Sequence, residues 1–495
     1  MNIRNISYIL IAIVITMSSC QKELTDINVN PNNLESPDIT TLTRNIMVSE
    51  FWNNTDQAWL YGNGMSQLMV YSQSYYNQLY GTRFLPINNA SYWSTNYANA
   101  RDAATVVTQS KKAKNIGNQA VGLALESYAF LQLTELWGDI PYLQALEGYS
   151  GTYLAPYDNQ QTVYTASVNG ILARLKTADS LLAASPSVVA GDVLYGGSAV
   201  SWRKFINSLR LRTLLRISAK QDVSTQMQAI VTDGTIFQKA SESATLALPN
   251  ANPWYFPSYG DRAGDFSPKF MGSLLYQFYV NTQDQDRLKL LWAPSVTGAA
   301  NSTFSFSNYG GMPLVADATT AQVNSASNFV STLSSTNTTY TVKNVTNARI
   351  ITYAEVQFIL AEAALKGYVP GGAAQAATYY TNGILGAYAE FGLPTADATV
   401  YAAANPLDSD PATALNQIIM QKWALNLNNG YEGWIEQRRT GIPTFDVGAN
   451  SQNGGLVPNK FLYPSDEEFI NATNYLKEVQ TYPSGKDDAN YRAWW

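Results

Sequence analysis

The 495-residue chain has no histidine and one cysteine, Cys20. Without histidine there is no Ser-His-Asp triad, no Cys-His pair and no histidine-bound zinc. With a single cysteine no disulfide closes within the chain, so stability has to come from packing. Charge is also scarce: Asp, Glu, Lys and Arg are 14 % of the residues, and the formal net charge is −6. No basic tract stands out, which argues against a nucleic-acid partner. Long apolar runs are equally rare. The one that stands out, "ILIAIVITMSSC" (residues 9–20), falls short of the roughly 20 residues a membrane-spanning helix needs. Arg4 precedes it and Ser18 and Ser19 close it, the pattern of a signal peptide over residues 1–19. A cysteine directly after the small residues fits a lipoprotein, in which the Cys20 thiol is acylated and becomes the new N-terminus. Met17 stands where such sites usually carry Leu. The expected body, residues 20–495, is one soluble domain held to a membrane by that lipid.

Aromatic residues are abundant instead: 12 % of the chain, with 32 Tyr and 11 Trp. A neutral surface rich in Tyr, Asn and Gln suits carbohydrate, whose ring has an apolar face and whose hydroxyls need neutral donors and acceptors. After Cys20 a polar, Asn- and Pro-rich segment reads as an extended tether over residues 20–45. Helical periodicity then dominates. "NIGNQAVGLALESYAFLQLTELWG" places Leu123, Tyr128, Leu131 and Leu136 at helical spacing, with Gly138 to stop it. "NQQTVYTASVNGILARLKTADSLLAA" reads as a second long amphipathic run. In "WRKFINSLRLRTLLRIS" Trp202, Phe205, Ile206 and Leu209 form one stripe, with Arg203, Arg210 and Arg212 mostly off it. Later, "RIITYAEVQFILAEAALKG" is expected to pair with "AAQAATYYTNGILGAYAEFG". Asp410 caps a following helix that has Pro411 at its first position. The spacing of these helix pairs predicts an all-α scaffold of tetratricopeptide-like hairpins. From about 240 to 345, turn-rich aromatic and Ser/Thr/Asn segments predict an irregular, loop-rich lobe inserted in that scaffold.

Taken in series, "LWGDIPY", "WRKFINSLRLRTLLRIS", "DQDRLKLLWAP…YGGMP", "RIITYAEVQFILAEAAL", "GYEGWIEQRRTGIP" and "KFLYPSDEE" resemble the SusD/RagB family of nutrient-binding outer-membrane lipoproteins of Bacteroidetes, in its second SusD-like group. The resemblance runs from Cys20 almost to the C-terminus. It implies an all-α fold whose irregular lobe holds the ligand. It also implies a surface-exposed lipoprotein that caps a SusC-like TonB-dependent transporter, and "QKE" after Cys20 is similar to surface-export signals of that phylum.

Individual motifs have simpler readings as well. Glu355 and Glu362 share a helix face, as a carboxylate pair for catalysis would, but Lys366 four residues past Glu362 makes a helix–helix ion contact the better account. Arg438 and Arg439, beside Glu432 and Glu436, read as surface or interhelix ion pairs. "NTQDQDR" (281–287) alternates oxygen donors but lacks the Gly and closing Glu of a calcium loop. Two aromatic clusters remain. The first is Tyr71, Tyr75, Tyr76, Asn77, Tyr80, Arg83 and Phe84, with Trp93 following. The second is Trp254, Tyr255, Phe256, Tyr259, Asp261, Arg262 and Asp265. Their rings would stack on a ligand while Asn77, Arg83, Asp261 and Arg262 read its hydroxyls.

The expected activity is capture of an oligosaccharide, without catalysis or cofactor, and its delivery to the transporter. Oligopeptide capture, as RagB-like members are taken to perform, is the alternative. A secreted glycoside hydrolase and a purely structural surface protein follow behind it.

Overall fold

Asp38 opens the first helix: its carboxylate accepts the N–H of Thr41 at 2.9 Å, and helix α1 runs Ile39–Gln57 with Ile46, Met47 and Phe51 buried. The tether expected over residues 20–45 therefore ends by residue 38, because this cap and these apolar side chains commit the chain to the core. The computed structural model describes residues 38–71, 83–248, 257, 269–299, 303–315, 317–329, 347–447 and 451–495. The signal peptide, Cys20, and the site candidates Tyr75, Tyr76, Asn77, Tyr80, Trp254, Tyr255, Tyr259, Asp261 and Arg262 lie outside the described residues.

After α1 come a π-helical turn, Ala58–Gly62, and strand β1, Met69–Tyr71. Helices α2 (Ala90–Ala113) and α3 (Ile116–Trp137) are joined only by Lys114 and Asn115, so the chain folds straight back on itself. Gly138 ends α3 as the sequence predicts, at φ +82°, a conformation an L side chain rarely adopts. Strand β2 (Ile140–Pro141) pairs with β3 (Tyr157–Asp158). The run expected as one long helix is two, α4 (Gln160–Thr165) and α5 (Ile171–Ala184). Gly170 sits in extended backbone between them, too close to Ala166 for any side chain.

Helix α6 (Ala199–Ile217) packs on α5 and buries Trp202, Phe205, Ile206 and Leu209. Helix α7 (Ser224–Asp233) and strand β4 (Ala244–Ala247) follow. The stretch expected to be irregular holds strand β5 (Lys269–Met271) and helices α8 (Ser273–Thr282), α9 (Gln285–Leu291) and α10 (Thr320–Ser325). Asp284, read in the acidic segment, caps α9, which is why helix resumes there. Strand β6 (Asn347–Ile351) pairs antiparallel with β4. It takes Arg349, Ile350 and Ile351 out of the helix expected there, since Thr352 is extended and its hydroxyl caps Glu355.

Helices α11 (Tyr353–Leu365) and α12 (Gly372–Glu390) form the predicted pair. A Cβ on Gly383 would lie 2.5 Å from the Phe358 ring, so only glycine permits this approach. The chain closes with α13 (Thr395–Ala404), α14 (Pro411–Leu425, capped by Asp410 as expected), α15 (Glu432–Thr440), α16 (Ser465–Ile470) and α17 (Ala472–Val479). The architecture is all-α, with hairpins α2–α3, α5–α6 and α11–α12 around the main core and a small separate cluster of Val70, Phe270, Met312 and Ala326. Strands among the described residues occur only as two-stranded pairs. Trp137, Trp202, Trp423 and Trp434 are fully buried, each with its indole N–H on a partner near 3 Å, and such burial is worth about 1.5–3 kcal/mol per large side chain. No helix among the described residues is long and apolar enough to cross a membrane.

Candidate functional site

The two aromatic clusters of the sequence are far apart in the chain, but Tyr71 of the first pairs with Lys269, which follows the second by four residues. Strands β1 and β5 pair antiparallel with Tyr71 opposite Lys269. Tyr71 is the last described residue before Tyr75–Tyr80, and Lys269 the first after Trp254–Arg262, apart from Pro257. Phe329 joins the same edge, its N–H donating to the Lys269 carbonyl at 2.9 Å. Beneath this edge lies an aromatic floor. The Lys269 ammonium sits 3.7 Å from the centre of the Trp59 ring, and Phe329 meets Trp59 and Trp292 edge-on, each at 5.5 Å. Trp59 reaches this position from the π turn that follows α1. Burial pushes the nearby Asp56 carboxyl up to about 6, against the pull of Lys269.

Of the first cluster, Tyr71 and Phe84 are buried, not on an open surface. Tyr71 is fixed by the β1–β5 ladder, and Phe84 stacks on Phe445 at 6.3 Å. Arg83 is half-buried, its carbonyl accepting the Gln452 N–H at 2.9 Å. Sequence reasoning passed over Trp59 and Lys269, which no local cluster marks.

Trp93 stands elsewhere in the local chain, on α2, and only 6 % of it is exposed. Its ring packs on Tyr97, Trp137 and Tyr463, with centroids 4.9, 5.2 and 6.1 Å away. It lines an open cavity of about 820 Å³ between α2, the β2–β3 connection and α16. Tyr97, four residues further along the same helix face, also lines it; that spacing was a readable signal. Tyr153, Leu154 and Ile470 stand at the cavity with most or half of their surface in water. The connection is firmly held. Tyr97 donates to the Pro141 carbonyl at 2.7 Å, Tyr157 to Glu467 at 2.7 Å, and Asn471 to the Ala155 carbonyl at 2.9 Å.

Glu355 and Glu362, the acids that share a helix face, are both committed to buried ion pairs. Glu355 binds Arg212 through both its oxygens, and Arg212 also reaches Glu432 at 3.2 Å. Arg216 joins Glu432, Glu135 and Glu436, and Lys422 meets Glu436 at 3.1 Å. Arg439 bridges Glu436 and Glu362, and Lys366 pairs with Glu362 as expected. Arg212, placed mostly off the buried stripe by the sequence, is thus interior because acids on α11 and α15 surround it. Arg439 makes the interhelix pair foreseen. Arg438 instead donates to the carbonyls of Glu135 and Asn459 and lies 4.1 Å from the Trp434 ring centre; burial pushes its guanidinium down to about 9. In the acidic segment, Asp284 is taken by Arg287 and by the Tyr388 hydroxyl at 2.9 Å. No group of acids, histidines or cysteines fit for a metal occurs among the described residues.

What remains open is the cavity over Trp93 and Tyr97, on a helical-hairpin scaffold, with no committed acid pair among the described residues beside it. The SusD-like family, second group, described as starch-binding and associating with the outer membrane, matches residues 31–464, and the chain belongs to that family. Among solved structures, a SusD homologue of Bacteroides fragilis is 24% identical, covering 93% of this chain and 99% of its own, with TM-score 0.76. An outer-membrane protein of Bacteroides vulgatus, whose description ties it to nutrient binding, is 25% identical over 92% of this chain and 99% of its own, with TM-score 0.76. A chitin-binding protein is 26% identical over 92% of this chain and 98% of its own, with TM-score 0.74. Among curated proteins none matches.

Proposed function

We propose that this protein captures oligosaccharide at the cell surface and delivers it to a SusC-like TonB-dependent transporter, without catalysis. Tyr75, Tyr76, Asn77, Tyr80 and Arg83 on one side, and Trp254, Tyr255, Tyr259, Asp261 and Arg262 on the other, form the ligand site. Acylated Cys20 anchors the protein to the outer membrane. The observation that supports this reading most is the register of Tyr71 on Lys269, the described residues that border the two aromatic segments in the chain. The starch-binding description of the family and the chitin-binding relative favour a glycan over a peptide. Neutralisation of Glu355 and Glu362 by Arg212, Arg439 and Lys366 speaks against hydrolysis by that pair.

The test is to measure glycan affinity of Tyr76→Ala and Trp254→Ala. Loss of one stacking platform costs about 2 kcal/mol at a hot spot, roughly a thirtyfold weakening. Melting temperature is expected to stay near that of the unaltered protein. Normal binding in both variants, or loss only in step with unfolding, would place the ligand elsewhere.

A further inference from the structure

We propose that the cavity over Trp93 is a further carbohydrate subsite, taking one or two neutral sugar rings in addition to the contacts proposed for Tyr76 and Trp254. The inference rests on the glycan-binding reading above. It starts from an imbalance in exposure. The cavity, about 820 Å³, is of a size that holds a small ligand, typically ~300–1,000 Å³. Trp93 and Tyr97 line it, and of its other lining residues Tyr153 is 83 % and Ile470 68 % exposed to water. Residues of this kind seldom gather in the open without a partner.

The polar groups decide which partner. Arg101, itself paired with Asp102 at 2.8 Å, lies on one side, and Glu467 and Asn471 lie on the other. A wholly apolar ligand would strip water from the Arg101 side chain, which is 63 % exposed, at a cost in binding. An anion would face Glu467, and a cation would face Arg101. A neutral ring with one apolar face and a rim of hydroxyls satisfies both the aromatic walls and the polar sides. The site is also built in advance. Tyr157 on Glu467, Asn471 on Ala155, and Asn474 on the Leu154 carbonyl at 3.0 Å tie the β2–β3 connection to α16 and α17. A ligand therefore meets walls already in place, and little ordering has to be offset.

Calorimetric titration with maltohexaose and with N-acetylchitohexaose tests this on the protein lacking residues 1–20. Two binding events are expected. Tyr76→Ala is expected to remove one, and Tyr153→Ala or Ile470→Ser to weaken the other by at least about tenfold. Tyr153 and Ile470 project into water, so their replacement does not endanger folding. Titrations of Tyr153→Ala and Ile470→Ser that superimpose on the unaltered protein overturn the further subsite. If a single event then disappears with Tyr76→Ala, the proposed function still stands. Absence of any sugar binding overturns both.

Discussion

Replacing Glu362 with glutamine removes a buried charge while keeping the shape of the side chain. Burial by itself would raise this carboxyl, but Arg439 and Lys366 outweigh it and hold it at about 2, against an ordinary 4.5. The gap between those values corresponds to about 3 kcal/mol at neutral pH, at roughly 1.4 per pH unit. The variant also leaves Arg439 and Lys366 without their shared partner, and breaking a buried pair from one side costs about 3–5 kcal/mol. The two routes agree, so a loss of about 3–4 kcal/mol is expected. The sign of the pH dependence follows from the depressed value. The stabilisation is complete above 4.5 and fades as the pH falls toward 2, so less than half of it remains at about pH 3. Urea denaturation of both proteins at the two pH values reads this directly. A loss below about 1 kcal/mol at neutral pH, or an equal loss at both pH values, refutes the claim that this ion network is held together by charge.

Glu50 presents the opposite case: both carboxylate oxygens are buried with no hydrogen-bond partner among the described residues, and burial raises its carboxyl well above the ordinary range. The folded state then keeps a proton that the unfolded chain releases above about pH 4.5, so Glu50 costs stability as the pH rises. Glu50→Met is expected to gain about 1–3 kcal/mol in urea denaturation at neutral pH, with the gain shrinking in acid. Cys20→Ala is expected to yield soluble protein that takes up no labelled palmitate; continued labelling and membrane partition would reject the lipid anchor.

The helices were readable wherever local signals agreed with the tertiary structure. Asp410 with Pro411, the Gly138 stop and the Trp202–Leu209 stripe each pair a local rule with a burial pattern, and all three appear as read. Misreadings arose where one residue overrode periodicity. Gly170 broke an apolar run, and Thr352 held Arg349–Ile351 in a strand. Asp38 started a helix inside an Asn- and Pro-rich segment. The ion network was beyond local reading, because Arg212 and Arg216 find their acids on α3, α11 and α15, between about 80 and 220 residues away. For the same reason the Trp59–Lys269 contact joins residues that no window contains together. The Trp93 cavity was half legible. Trp93 and Tyr97 share a helix face, but Glu467 and Ile470 arrive from the far end of the chain.

The central claim is capture of a neutral glycan, and the most direct measurement is calorimetry of the protein lacking residues 1–20 against a panel of oligosaccharides and peptides. The account predicts binding to at least one neutral oligosaccharide, with no product released over the course of the titration and no comparable heat from any peptide. Binding confined to peptides, or cleavage of the bound sugar, would contradict it.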